Sequence, residues 1–218
     1  MTYYPIYLNL RGKRALVIGG GPVAERKVAS LLDSGASILV VSPQATERLA
    51  ALAHAGLIQW RSRAYASGDC GGAHLVFAAT DDPAVTAAVF QECREAGVLI
   101  NAADEPELCD FIMPAVVRRG DLIVAISTGG ASPALAATLR RRLSQVIGAE
   151  YGRLLTLMSK VRPEIRHRIH NSSNRKDLHY RILRSGVLRL LRRHDTRGAE
   201  ELVHDIIDEF AGRETVTQ

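Results

Sequence analysis

The stretch Arg14-Ala15-Leu16-Val17-Ile18-Gly19-Gly20-Gly21-Pro22-Val23-Ala24 decides the fold. Its apolar run reads as a strand buried on both faces, ended by three glycines. Pro22, with φ already near the helical value and no N–H to leave unpaired, opens a helix. Gly19, Gly21 and Ala24 have the G-x-G-x-x-A spacing of a dinucleotide fingerprint. In that motif the first glycine turns the strand tightly and the second lets backbone approach a pyrophosphate. The alanine keeps the helix close to the sheet. The helix then offers free N–H groups and the positive end of its dipole to the phosphates. An ordinary tight strand–helix turn would use the same residues. A carboxylate about 20 residues on usually grips the ribose. Here the second strand ends in Val40-Val41-Ser42-Pro43-Gln44, with none. Ser42 or Gln44 can hydrogen-bond the ribose, but neither repels a 2′-phosphate, so NAD and NADP both remain open.

Working outward, the first half alternates short apolar runs with helical stretches. Pro22–Leu32 is a helix stopped at Ser34-Gly35-Ala36, and Ile38–Val41 is the next strand. Thr46–Ala55 is a helix with Thr46 as N-cap and Gly56 beyond its end. Leu57–Trp60 reads as a third strand and Leu75–Ala79 as a fully apolar one. Pro83–Ala96 is a helix closed by Gly97, and Val98–Ile100 a short strand. Apolar strands separated by helices imply a parallel sheet covered on both faces.

The pattern changes at Pro114. Leu122–Ile126 reads as a single strand with no hairpin partner nearby, followed by a turn in which Ser132 is N-cap and Pro133 opens a long helix. From Glu150 onward only helices are expected, broken at Asn171–Asn174. The fold class is therefore α/β: a Rossmann-type parallel-sheet domain over 1–113, a strand–helix segment over 114–149, and a small basic helical domain over 150–218. A lone strand must pair or remain an exposed edge, so pairing across a two-fold axis in a homodimer is expected, with 114–149 as dimerisation segment.

Composition narrows the classes. Cys70, Cys93 and Cys109 form no C-x-x-C pair and no disulfide framework, which suits a reducing cytoplasm. No apolar run reaches the roughly 18 residues of a membrane span, and Met1–Pro5 lacks the basic-then-apolar pattern of a leader. The net charge is +5, with arginines crowded late in the chain. That excess suits an acidic partner or forms solvated helix faces. No DNA-reading motif is present, so nucleic acid is not expected. His167, His170 and His179 have no supporting cysteine or carboxylate motif, so no metal site is expected. Cys109 reads as a small buried hydrophobe.

Ligands of such sheets bind beyond the carboxyl ends of the strands. Thr80, in Ala78-Ala79-Thr80-Asp81-Asp82-Pro83, is placed to line the cofactor crevice, with Asp82 as cap of the following helix. Asn101-Ala102-Ala103-Asp104 ends the last strand of the sheet. Asp104 can act there as general base near a nicotinamide; otherwise it is a loop acid capping a turn. Asp81 and Asp110 are its rivals. Ser127–Pro133 is a second glycine-rich turn before a helix, able to bind an anion or to serve only as a turn.

These stretches together resemble the precorrin-2 dehydrogenase family, which includes the amino-terminal part of siroheme synthase and the stand-alone dehydrogenase/ferrochelatase. The likeness runs through Pro5–Gly12, Val17–Lys27, Ala78–Asp82, Asn101–Asp104, Phe111–Ala115 and Ala125–Pro133. It implies oxidation of precorrin-2 to sirohydrochlorin with NAD as hydride acceptor, in many members followed by insertion of ferrous iron as a substrate. It also implies an intertwined homodimer. Pro22 and Val23 fall at the pyrophosphate turn, Pro43 and Gln44 beside the adenosine part, and Asp104 on the family's catalytic aspartate. Thr128 stands where some relatives carry a modifiable serine, and that regulation is not carried over. No methyltransferase stretch follows, so precorrin-2 is expected to be supplied rather than made. A tetrapyrrole with eight carboxylates would suit a basic cleft offering Arg118, Arg119, Arg140 and Arg141. The competing readings are another NAD(P)-dependent small-molecule oxidoreductase and a non-catalytic dinucleotide-sensing module.

Overall fold

The strand that opens the fingerprint is the middle of a five-stranded parallel sheet. In the computed structural model, which describes Tyr3–Val216 (backbone only over 213–216), it is β1 (Arg14–Ile18). Met1 and Thr2, at the head of the stretch read for a leader, and Thr217 and Gln218, the end of the last helical stretch, lie outside the described residues. The remaining strands of the sheet are β2 (Ser37–Val41), β3 (Gln59–Arg61), β4 (Leu75–Ala78) and β5 (Leu99–Ala102), in the order β3-β2-β1-β4-β5. Alternate side chains feed two cores. Ala15, Val17, Val40 and Phe77 pack with Ala24, Val28 and Leu31 of α1 (Pro22–Leu31) and Leu49 of α2 (Glu47–His54). Leu16, Ile18, Val76 and Ile100 pack with Val89 and Cys93 of α3 (Pro83–Ala96). Burial on both faces is why these strands read as unbroken apolar runs. The third strand lies two residues later than its apolar signal suggested, because Leu57 stays 60% exposed while Ile58 enters the core.

Contacts divide the chain into Met1–Met113 and Pro114–Gln218. The second unit begins with β6 (Ala115–Arg119) and β7 (Leu122–Ile126), paired antiparallel with Arg119 opposite Leu122. This corrects the reading of Leu122–Ile126 as a strand without a hairpin partner. Gly120-Asp121 is a two-residue turn with Gly120 at φ +59, and a left-handed glycine in first place is what a tight hairpin of this type needs. Helix α4 (Pro133–Val146) is capped by the Ser132 hydroxyl, which accepts from the Leu135 N–H. Four helices follow: α5 (Ala149–Arg168), α6 (Ser172–Arg184), α7 (Val187–Arg192) and α8 (Thr196–Val216). Leu154, Leu157, Val161 and Ile165 form the apolar stripe of α5 and pack on Leu178, Ile182, Leu191, Val203 and Ile207. Much of the late positive charge is spent inside this unit. Arg168 meets Glu164 and Asp208, Arg181 meets Glu209, and Arg192 holds the buried Glu150.

The passage from β1 to α1 is sterically tight. Gly19 has φ +116, and a Cβ there would lie 2.0 Å from the Ala79 carbonyl oxygen. A Cβ on Gly20 would lie 1.9 Å from the Gln44 carbonyl oxygen. At Gly21 a Cβ would meet nothing within 4 Å, and the backbone (φ −80, ψ −172) suits any residue. Gly20→Ala is therefore expected to cost about 3 kcal/mol as an overpacked site with no room to give. Gly21→Ala should stay within about 1 kcal/mol of the wild type, the range of a changed N-cap. Urea unfolding of both variants checks this, and a Gly21→Ala that is the less stable of the two would contradict it.

Candidate functional site

The carboxyl ends of four neighbouring strands are stitched together. The Gly19 N–H donates to Val41 O at 2.9 Å, Ala79 N–H to Ile18 O at 2.8 Å, and Ala103 N–H to Ala78 O at 2.8 Å. The glycine turn after β1, Thr80 after β4 and Asp104 after β5 thus leave one edge of one sheet. The sheet order reverses between β1 and β4, the switch point at which ligands of open α/β sheets bind.

The β1–α1 turn is held from both sides. Gly20 O accepts from the Thr46 N–H at 2.9 Å, and the Thr46 hydroxyl donates to Glu25 Oε2 at 2.7 Å. The same Thr46 oxygen caps α2 by accepting from the Leu49 N–H at 3.3 Å. Pro43 and Gln44 lie exposed on this loop. It is fixed by the Trp60 indole donating to Ser42 O at 3.0 Å and the Ser62 hydroxyl donating to Pro43 O at 3.2 Å. Gly20 and Glu25 were not singled out from sequence. Gly20 is nevertheless required by the loop crossing over it, and Glu25 ties α1 to that loop.

Helix α1 starts differently from its neighbours. Thr46 caps α2 and Asp82 caps α3, the latter accepting from the N–H groups of Ala84 and Val85, as expected for Asp82. The N-cap of α1 is Gly21, which has no side chain to accept from Val23 or Ala24, and Pro22 at the first position has no N–H. Ala24 is fully buried against the sheet, so the helix sits close to it. The result is a helix N-terminus beside the one glycine of this turn that the protein's own packing does not require. Val23 and Ala24 therefore have N–H groups that no side chain caps, beside open space at Gly21, the kind of helix start that suits an anion. Thr80 is half-buried, with its hydroxyl oxygen accepting from the Asp82 N–H at 3.3 Å and its backbone against Gly19.

Asp104 is exposed and has φ +62, one of two non-glycine residues with positive φ among those described. A left-handed aspartate is tolerated better than most side chains but is still held by its surroundings. The loop after it is anchored by Asp110, whose Oδ2 accepts from the Ile100 N–H at 3.0 Å and whose Oδ1 lies 3.7 Å from Arg94. Asp110 is thereby committed to structure, whereas Asp81 is exposed. Asn101 is buried, and its amide donates to Phe111 O at 2.9 Å. Cys109 donates from its thiol to Ala102 O and Glu105 O, and burial pushes that thiol up, so it stays protonated and inert. Lys27, also not singled out from sequence, donates from Nζ to Asn101 Oδ1 at 2.8 Å and stands 5.2 Å from the centre of the Phe77 ring.

One feature of the second unit differs from expectation. Arg119 is not free to meet a substrate: its guanidinium donates to Ile147 O, Ser144 O and Arg118 O, satisfying the carbonyl end of α4. Arg118, Arg140 and Arg141 are exposed. In the glycine-rich turn before α4, the Thr128 hydroxyl accepts from the Ser132 N–H and donates to Ser132 O, both at 3.1 Å.

Three families match in succession. Residues 6–115 match the family described as "Putative NAD(P)-binding", 119–145 the "Sirohaem biosynthesis protein central" family, and 150–207 the "Sirohaem synthase dimerisation region". The siroheme synthase of Methylococcus capsulatus is 39% identical over 214 residues, covering 98% of this chain and 45% of that protein. The siroheme synthase of Nitrosococcus oceani is 41% identical over 187 residues, covering 86% and 40%. The chain therefore spans less than half the length of these two relatives. Among solved structures, SirC, a precorrin-2 dehydrogenase, matches with a TM-score of 0.76 at 27% identity, over 93% of this chain and 100% of that one. The fold, the turn geometry and these likenesses agree: the chain belongs to the precorrin-2 dehydrogenase family, which also supplies the amino-terminal part of siroheme synthase.

Proposed function

We propose that this chain oxidises precorrin-2 to sirohydrochlorin, with NAD as the hydride acceptor. The observation that carries the reading is the open Gly21 turn at the sheet's switch point, one strand end away from Thr80 and two from the free carboxylate of Asp104. The full-length likeness to a precorrin-2 dehydrogenase supports the choice of substrate. When bound, the nicotinamide supplies the site that takes the hydride. Gly19, Gly21, Pro22, Val23 and Ala24 would hold the pyrophosphate, Pro43 and Gln44 would border the adenosine part, and Thr80 would line the crevice.

Loss of a hydride from precorrin-2 leaves a proton to be removed, and Asp104 is the acceptor we assign to it. Its left-handed backbone projects it from the strand end, and among the described residues no hydrogen bond ties up its carboxylate. Insertion of ferrous iron, the second reaction we assign, requires removal of two pyrrole N–H protons, so the same base would serve each reaction in turn. The substrate's eight carboxylates suit exposed arginines, with Arg118, Arg140 and Arg141 as candidates and Arg119 withdrawn by its bonds to α4.

We also propose that the chain is a homodimer. Its β6–β7 sheet has only two strands, which is marginal unless paired or covered. Leu135 is 50% and Val146 67% exposed in the same unit, and residues 150–207 match a dimerisation region. Light scattering at micromolar concentration should give twice the chain mass, and a monomer would refute the assignment.

Two variants test the site. Gly21→Asp should fold normally and bind NAD at least about tenfold more weakly, because it sets a carboxylate against the pyrophosphate. Unchanged affinity, measured by titration, would remove the turn from the site. Asp104→Asn keeps a side chain that accepts left-handed φ, so folding and NAD binding should persist. The visible spectrum of precorrin-2 incubated with NAD should report oxidation slowed roughly 10²–10⁴-fold, the usual worth of a positioned base. A separate iron-insertion assay should show a parallel loss. Full activity in both would return the base to Asp81. NAD binding by the wild type without any turnover would favour a sensing module over an enzyme.

A further inference from the structure

Lys27 is a half-buried cation of the first unit that the proposed chemistry does not yet use. It lies on α1 one turn beyond Val23, so the helix that begins at the glycine turn carries it toward β5. Its ammonium donates to Asn101 Oδ1 at 2.8 Å and stands over the Phe77 ring, 5.2 Å from the centroid. Asn101 in turn donates to Phe111 O at 2.9 Å and to Cys109 Sγ at 3.4 Å. Phe111 packs edge-on against Phe77, with centroids 5.5 Å apart. One ammonium therefore links α1 to β4 and β5 and, through Asn101, to the carboxyl end of the loop that starts at Asp104.

A lysine in such a place needs a reason. Half-burial pushes the Lys27 ammonium below its usual range, and Arg26 on the same helix adds to that, while Cys109 and Asp104 act in the opposite sense. An apolar side chain would cover Phe77 without that penalty. What it would not do is anchor the Asn101 carbonyl or place a positive charge beside the Asp104 loop.

We propose that Lys27 is a positioning residue for Asp104, holding the 104–111 loop through Asn101 and keeping a positive charge beside the carboxylate that takes the substrate's proton. This rests on the dehydrogenase reading and on Asp104 as its base. The lysine acts while protonated, so its effect is present at low and neutral pH and is lost as pH rises through its lowered pKa. Activity should therefore decline at high pH, and Lys27→Arg, whose charge persists, should move that decline upward. The other groups facing Lys27 that titrate are Cys109, which burial pushes up, and Asp104.

The test uses the full chain with Lys27→Met and Lys27→Arg. Two readouts are taken: steady-state oxidation of precorrin-2 across pH, and hydrogen exchange of the 104–111 amides. Lys27→Met should lower kcat by about tenfold or more, with NAD affinity within about twofold of the wild type. Exchange across 104–111 should quicken in the same variant. Lys27→Arg should restore protection and most of kcat, and shift the high-pH limb upward. Full kcat in Lys27→Met overturns the proposal, as does a limb that stays in place in Lys27→Arg, which would belong to Cys109. If the wild type does not oxidise precorrin-2, the functional reading fails by itself, and exchange alone then decides. Faster exchange in Lys27→Met that Lys27→Arg reverses supports the positioning role, and unchanged exchange overturns it.

Discussion

The carboxyl edge of this sheet depends on a steric constraint: the chain must pass from β1 to α1 between two carbonyl groups. The Ala79 carbonyl closes on Gly19 from the β4 side and the Gln44 carbonyl on Gly20 from the β2 side, each within 2.0 Å of where a Cβ would stand. Only backbone fits in that gap. Because the gap is set by β2 and β4 together, the turn is fixed relative to both neighbouring loops, and α1 leaves it in one direction. Gly21, next in line, escapes the constraint altogether. A side chain there would meet nothing within 4 Å.

The same economy separates the acids of the edge. Asp82 is consumed as a helix cap, Asp110 as the anchor of a loop on β5, and Glu25 as the tie between α1 and the loop after β2. Each is explained by the groups it satisfies. Asp104 is set apart by its left-handed backbone at the end of the last strand, a conformation that costs roughly 1–3 kcal/mol and persists only where surroundings over-determine it. On either side of it in the chain, the Asn101 amide, the Cys109 thiol and the Lys27 ammonium form one hydrogen-bonded group.

The first unit was largely legible because its signals are local. Unbroken apolar strands, Thr46 and Asp82 as caps and Gly97 beyond α3 all stand where the residues suggested, as does Ser132-Pro133 opening α4 in the second unit. What escaped was non-local. Gly20 looks like the spare glycine of the fingerprint until the Gln44 carbonyl is placed over it. Lys27 looks like a solvated helix residue until α1 is laid on Phe77 and Asn101. The hairpin partner of Leu122–Ile126 was hidden by its own arginines, although Gly120-Asp121 is a hairpin turn signal. Arg119 looked available for a substrate because nothing in the sequence tells that the end of α4 folds back onto it.

The central claim is that a hydride leaves the tetrapyrrole for a nicotinamide held at the Gly21 turn. Precorrin-2 deuterated at the carbon that loses hydride, incubated with the wild-type chain and NAD, tests it most directly. The account predicts one deuterium in the reduced nicotinamide for each sirohydrochlorin formed. Sirohydrochlorin appearing with no label in the nicotinamide, or with the label released to water, would contradict it.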